Sequence, residues 1–274
     1  MSNFWQRLFT GTFFVSIIIA AILMSPYTLM ALFLLLNILC LVEFYRLFIR
    51  NNLTPRIIYG VLLSVLLYKT SVLVMSDIFQ PKILLINVPF LFLIFVFELY
   101  LKSEKPFENI AYTMLGIFYI TVPLILFNAM AFMQTEHGYY HWQILIGYFL
   151  ILWASDTGAY LAGRQFGKHK LFERISPKKT WEGSIGGLLS AFLLGYICSV
   201  YYTDFSIIQW QIIAVIIVIT GTFGDLIESM LKRSLNIKDT GSILPGHGGL
   251  LDRLDGLFIS VPFVFFYLVL IGKI

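Results

Sequence analysis

Charge is the scarcest property of this sequence. Of its 274 residues only 12% are Asp, Glu, Lys or Arg, while 59% are hydrophobic, against about 25% charged in soluble domains. A chain so short of charge cannot clothe a soluble core, and it reads as a polytopic membrane protein. Cysteine is nearly missing as well. Cys40 and Cys198 lie far apart inside apolar runs, which argues against a disulfide or a cysteine zinc site and leaves them as small buried side chains. No G-x-x-x-x-G-K-[ST] phosphate loop occurs; "GRQFGKHK" at 163–170 shares only its glycines and a lysine, so a P-loop kinase or ATPase is unsupported. Strand-like alternation of apolar and polar residues is lacking too. Segments such as "ALFLLLNILCLV" and "IIAVIIVITG" are apolar on every face, which excludes a transmembrane β-barrel and leaves helices.

A bilayer core about 30 Å thick takes about 20 apolar residues per helix. Nine windows meet that need, at about 8–24, 27–45, 56–75, 82–101, 109–133, 141–163, 183–202, 208–231 and 256–273. The expected fold is therefore all-α, an integral membrane protein with about nine transmembrane helices. Residues 1–140 read as a helical scaffold, and 141–274 as the catalytic region, with two long loops at roughly 164–182 and 232–255. The first apolar segment follows Arg7 as a signal peptide would, but "AAILMSP" offers no convincing cleavage site, so it reads as a retained helix.

Lys and Arg occupy alternate connections. Arg46, Arg50 and Arg56 form one group, Lys102 and Lys105 a second, Arg164 to Lys179 a third and Lys232 to Arg253 a fourth. The intervening connections, near Ser76, Glu136 and Asp204, carry Lys69 and Lys82 only at their margins. The positive-inside rule then places the N-terminus and all four basic loops in the cytoplasm, with a bacterial inner membrane as the expected location.

The first half holds few polar residues, each with a structural explanation. Glu43 and Arg46, spaced i, i+3, are expected to pair, and Glu98 to snorkel to the boundary. Gly60, Gly116 and Pro123 read as packing or bending positions, and His137 and His141 as solvated loop residues.

The second half differs. In "SDTGAYLAGRQFGKHKLFERISPKKTWEG", Asp156 falls inside an apolar span, where a carboxylate marks a functional site by default. Tyr160 and Arg164 follow it at i+4 and i+8 along one helix face. Lys168, Lys170, Lys178 and Lys179 make a basic loop, and Thr180 and Glu182 open the next helix, while His169 and Arg174 read as surface charge. In "GDLIESMLKR", Asp225, Glu228, Ser229 and Lys232 share a helix face that cannot look at lipid, with Arg233 beside them. The loop "SLNIKDTGSILPGHGG" adds Lys238, Asp239 and His247. Its Gly246, Gly248 and Gly249 permit close approach of backbone amides to an anion. Asp252 and Asp255, spaced i, i+3 in "LLDRLDG", can share one ion.

Carboxylates without cysteine suit a hard cation such as Mg²⁺. Basic side chains beside them suit charge developing on phosphoryl oxygens, so the chemistry indicated is phosphoryl or nucleotidyl transfer.

The run S-x-x-K-R, four residues, K-D, then P-x-H-G-G and D-R-x-D is met by Ser229, Lys232, Arg233, Lys238, Asp239, Pro245, His247, Gly248, Gly249, Asp252, Arg253 and Asp255. It resembles the signature of the phosphatidate cytidylyltransferase family, and the upstream "SPKKTWEG" is similar to a family segment too. The resemblance is specific over the C-terminal half and weak before residue 140. It implies the Mg²⁺-dependent reaction of CTP with phosphatidic acid, giving CDP-diacylglycerol and pyrophosphate. On that footing Asp225, Asp252 and Asp255 are expected to hold the metal, with Asp156 and Asp239 as further candidates. Lys232, Arg233, Lys238 and Arg253 would grip phosphates; Arg164, Lys178 and Lys179 would receive the triphosphate or lipid head group; His247 would orient a phosphate or the leaving pyrophosphate. Ser229, Gly248 and Gly249 complete the expected substrate contacts. The partners implied are CTP, phosphatidic acid and membrane lipid, with no nucleic acid, and a homodimer through the first five helices is a further expectation. Two alternatives stand beside this reading: a CTP-dependent enzyme acting on another lipid phosphate or a polyprenol, and a secondary transporter for an organic anion. The latter fits poorly, since transport sites usually lie near the midplane on broken helices.

Overall fold

The computed structural model describes residues 3–49, 53–132, 140–241 and 248–274. Arg50, Glu136, His137, Pro245, Gly246 and His247 lie outside the described residues. The chain is almost wholly helical: α1 (Asn3–Met24), α2 (Pro26–Ile49), α3 (Ile57–Met75), a 3₁₀ run (Pro81–Ile86) leading into α4 (Asn87–Tyr100), α5 (Pro106–Gly116), a π-turn (Ile117–Thr121), α6 (Val122–Ala129), α7 (Trp142–Phe166), α8 (Trp181–Tyr201), α9 (Ile207–Ser234) and α10 (Leu251–Leu270). Among the described residues, eight helical runs are long and apolar enough to cross a bilayer, and a shorter apolar stretch, Phe9–Met24, precedes them. These correspond to the nine expected windows, so the chain is an all-α integral membrane protein.

The chain forms two compact units. One comprises Met1–Ala129 with Ile237–Arg253, the other Met130–Asn236 with Leu254–Ile274. The signature stretch thus passes from the second unit into the first and back again.

In the first unit, lipid offers no hydrophobic gain to bring helices together, so close packing and internal hydrogen bonds must do it. Tyr45 of α2 is fully buried and donates to the Thr113 carbonyl at 2.8 Å. Its ring lies so near α3 and the end of α5 that a Cβ at Gly60 would come within 2.8 Å of Tyr45 Cζ, and one at Gly116 within 2.9 Å. Pro123 follows the π-turn. Proline cannot donate to the helical ladder and crowds the preceding turn, which favours this local widening. Glu98 departs from expectation. Rather than snorkelling, it is buried and takes a two-pronged bond from Arg56, Nε and Nη2 each at 2.6 Å, because a carboxylate held out of water needs a paired cation.

In the second unit, small residues set the spacing. A Cβ at Gly183 would lie 2.9 Å from the Ala159 carbonyl oxygen, and one at Gly187 2.9 Å from that of Ser155, so α7 and α8 pack nearly backbone to backbone. Thr180 caps α8 by accepting the Gly183 N–H at 3.1 Å, and Ser206 with Gln209 forms a reciprocal capping box on α9. One feature was not anticipated. The loop between α7 and α8 contains an antiparallel ribbon, β1 (Lys170–Phe172) and β2 (Ser176–Thr180), with Lys170 opposite Thr180. Its lysines and Pro177 obscured the strand pattern, but in a two-stranded ribbon both strands are edges, where proline is tolerated. His141 is also not solvated as expected; it is buried, with Nδ1 3.7 Å from Asp204 Oδ2.

Gly187→Val would force a branched side chain against Ser155. Overpacking of this kind costs about 1–3 kcal/mol, so the variant should melt earlier in detergent, followed by circular dichroism, whereas Leu189→Val on the exposed face of the same helix should melt like the parent.

Candidate active site

The polar stripe at the C-terminal end of α9 forms as its spacing requires. Ser229 Oγ donates to Asp225 Oδ1 at 3.4 Å, and Lys232 Nζ sits 2.7 Å from Glu228 Oε2 across one helical turn. Helix α10 then brings Asp255 to the same place. The two helices can meet because position 224 is glycine: a Cβ there would lie 2.5 Å from the Asp255 carbonyl oxygen and 3.0 Å from Gly256 Cα. The Gly256 N–H donates to Asp255 Oδ1 at 2.8 Å and steadies that carboxylate. As a result one carboxylate oxygen from each of Asp225, Glu228 and Asp255 lies within 4.8 Å of the others.

Two further elements of this unit reach the cluster. β2 delivers Lys179, whose Nζ lies 2.6 Å from Asp225 Oδ2 and 3.3 Å from the Thr222 carbonyl oxygen. From α7, Asp156 stands within electrostatic reach of Lys179 and Asp225. With every carboxylate ionised, Asp156, Asp225, Glu228 and Asp255 carry four negative charges against the two of Lys179 and Lys232. The surplus equals the charge of one divalent cation, and an all-oxygen donor set suits a hard ion such as Mg²⁺. The residues present therefore fit a metal of that class. Arg164, Lys178 and Arg233 are exposed and enter no ion pair among the described residues, which leaves their charge for an anionic ligand. His169 and Glu182 pair at 2.6 Å and close the base of the ribbon.

The remaining signature residues belong to the first unit. Lys238, Asp239 and Arg253 are exposed there. Asp252, at the start of α10, turns its carboxylate back on the preceding loop: Oδ2 accepts the N–H of Gly249 at 2.8 Å and of Thr240 at 3.1 Å, and lies 3.0 Å from the Thr240 hydroxyl. Gly248 adopts a φ of +83°, and a Cβ there would meet Asp252 Oδ2 at 2.8 Å, so both its conformation and its neighbour call for glycine. The carboxylate that accompanies Asp225 and Asp255 in the cluster is Glu228, which the sequence placed on the right helix face without singling it out as a ligand. His247 lies outside the described residues.

Glu43, like Glu98 and His141, differs from its expected role. It does not depend on Arg46; it is buried, with Oε1 against the Thr240 hydroxyl and Oε2 accepting the Leu250 N–H at 2.8 Å. The available signal was a carboxylate in an otherwise apolar span, which the same rule applied to Asp156 would have marked.

The chain matches the Cytidylyltransferase family over residues 5–271. It is 33% identical over 254 residues to a phosphatidate cytidylyltransferase of Staphylococcus aureus (strain COL), covering 89% of this chain and 94% of that protein. A phosphatidate cytidylyltransferase of Staphylococcus haemolyticus is 37% identical over 173 residues, 62% of this chain and 64% of the relative. One from Haemophilus influenzae is 44% identical over 137 residues, 48% of each chain.

Neutralising one carboxylate of the cluster should weaken cation binding. Glu228→Gln is expected to lower Mn²⁺ affinity at least about tenfold in an electron paramagnetic resonance titration, and Asp204→Asn, before the opposite end of α9, to leave it unchanged.

Proposed function

We propose that the chain, which belongs to the cytidylyltransferase family, is a phosphatidate cytidylyltransferase, converting CTP and phosphatidic acid to CDP-diacylglycerol and pyrophosphate. The observation that carries this reading is the gathering of Asp225, Glu228 and Asp255 beside Lys179: acidic groups for a hard cation and a basic group for phosphate, within a membrane protein. Both substrates are polyanions, and one of them is a lipid.

An oxygen of the lipid phosphate attacks the α-phosphorus of CTP, a new P–O bond forms, and the bond from that phosphorus to the β-phosphate oxygen breaks. Pyrophosphate leaves with the electron pair. A phosphate monoester is largely ionised at neutral pH, so no general base has to remove a proton from the nucleophile. Catalysis then rests on holding the two phosphates in line and on offsetting the charge that builds up between them.

Asp225, Glu228 and Asp255 would hold Mg²⁺, which when bound supplies charge neutralisation at the phosphoryl oxygens. Lys179 and Lys232 offset part of the carboxylates' charge and would turn to incoming phosphate oxygens. Arg164, Lys178 and Arg233, exposed and outside any described ion pair, draw the triphosphate or the lipid head group. Lys238 and Arg253 of the signature loop, in the first unit, are further phosphate-binding candidates. CTP reaches these groups from the cytoplasm, in keeping with the Lys and Arg bias of the alternate connections.

The test is direct. Purified protein in detergent, given labelled CTP and phosphatidic acid, should make lipid-linked label in Mg²⁺ and none in EDTA; a polyprenyl phosphate in place of phosphatidic acid should not be labelled. Lys179→Met and Asp255→Ala should each cut turnover at least about a hundredfold. Full activity in EDTA, or in Asp255→Ala, would reject the assignment.

A further inference from the structure

The Glu43 side chain belongs to none of the groups assigned above, yet it is the only carboxylate that α2 places in the signature loop. Its two oxygens divide between two segments of chain. Oε1 meets the Thr240 hydroxyl, and Oε2 accepts the Leu250 N–H at 2.8 Å. Thr240 follows Lys238 and Asp239; Leu250 precedes Asp252 and Arg253. One buried carboxylate therefore ties together the two stretches that carry the exposed basic residues of the loop. The backbone is tailored to admit it. A Cβ at Gly241 would lie 2.9 Å from Glu43 Cδ, and one at Gly249 would lie 2.8 Å from the same atom.

Asp252 completes the arrangement. Its Oδ2 accepts from the backbone of Thr240 and Gly249 and lies 3.0 Å from the Thr240 hydroxyl. That hydroxyl stands between two carboxylates and has one proton to give. We propose that Glu43 is a positioning residue for the nucleotide: through Thr240 and Leu250 it sets the separation of Lys238 and Arg253, and so the fit of the loop to the phosphates of CTP. The inference rests on the cytidylyltransferase reading, since it takes CTP as the ligand that the loop receives.

The chemistry of the pair predicts an uncommon order among variants. Glu43→Ala leaves the Leu250 N–H without its acceptor and the Thr240 hydroxyl with Asp252 alone. Glu43→Gln can keep both contacts: the amide oxygen accepts from Leu250, the amide NH₂ donates to Thr240 Oγ1, and the Thr240 proton turns to Asp252. Thr240→Val puts a methyl in place of the hydroxyl and leaves the two carboxylates with no donor between them.

Steady-state kinetics on the full-length protein in detergent test this. Glu43→Ala and Thr240→Val should each raise KM for CTP about tenfold, with KM for phosphatidic acid unchanged, while Glu43→Gln stays within about threefold of the parent. The double variant Glu43→Ala/Thr240→Val should lose no more than the larger single change, because both cut the same link. A merely structural part would reduce the folded fraction and leave KM of the surviving enzyme where it was. That result overturns the inference, as do losses that multiply in the double variant or a Glu43→Gln as impaired as Glu43→Ala. Should the parent protein make no lipid-linked product, the reaction reading fails, and equilibrium binding of CTP to the same variants decides the positioning role. The same ranking in Kd sustains it; equal affinity throughout, or no affinity in the parent, ends it.

Discussion

The constraint on which the rest depends is the cost of a carboxylate away from water. An isolated charge in a low-dielectric bundle is so unfavourable that it persists only with a partner, and each buried carboxylate among the described residues, Glu43, Glu98 and Glu228, is met by a cation, a hydroxyl or a backbone N–H. Lys179 lies on Asp225 and Lys232 on Glu228; Arg56 grips Glu98; Glu43 and Asp252 are met by a hydroxyl and by backbone N–H groups. The exception in kind is the cluster of Asp225, Glu228 and Asp255, where acidic groups approach each other more closely than their cations can balance. That excess is the property a phosphate-transferring site exploits. Under the proposed function it would attract a divalent ion, and the ion together with the lysines would admit substrates otherwise repelled.

Glycine makes those approaches possible. Gly224 lets α10 come close enough for Asp255 to join the residues of α9, and Gly183 and Gly187 do the same for α7 and α8, which bring Asp156 and, through the adjoining ribbon, Lys179. In the signature loop Gly241, Gly248 and Gly249 give room to two carboxylates rather than only to a ligand. From spacing alone Gly248 and Gly249 read as openings for anions. The structure adds that their immediate neighbours are Asp252 and Glu43, so a larger side chain would displace the groups that shape the loop before any substrate arrived.

Much of this was legible from spacing alone. The nine apolar windows correspond to helical runs because a bilayer imposes one length on every span, and composition reports it without regard to tertiary contacts. The α9 stripe was legible because its members are neighbours on one helix, where distance follows from residue number. Lys179 was legible as basic but not as the partner of Asp225, because nothing local relates a strand residue to a helix beyond the next turn of the fold. Glu43 was misread for a similar reason. Arg46 offered a partner one turn away, and a local explanation displaced a distant one.

What the sequence determined by itself was the class of molecule and its chemistry: an all-α membrane protein whose scarce charges gather in the second half as acidic and basic groups suited to a metal and to phosphates. Those properties follow from composition and from periodicity along single helices. Which carboxylates of the second unit come within reach of one ion, with Glu228 beside Asp225 and Asp255, and that a glutamate of α2 meets Thr240 and Leu250 in the loop before α10, were decided only by the tertiary structure. The reason is physical. These contacts depend on how closely helix backbones approach, and that distance is set by what each glycine leaves empty on the facing helix, which no single segment of chain contains.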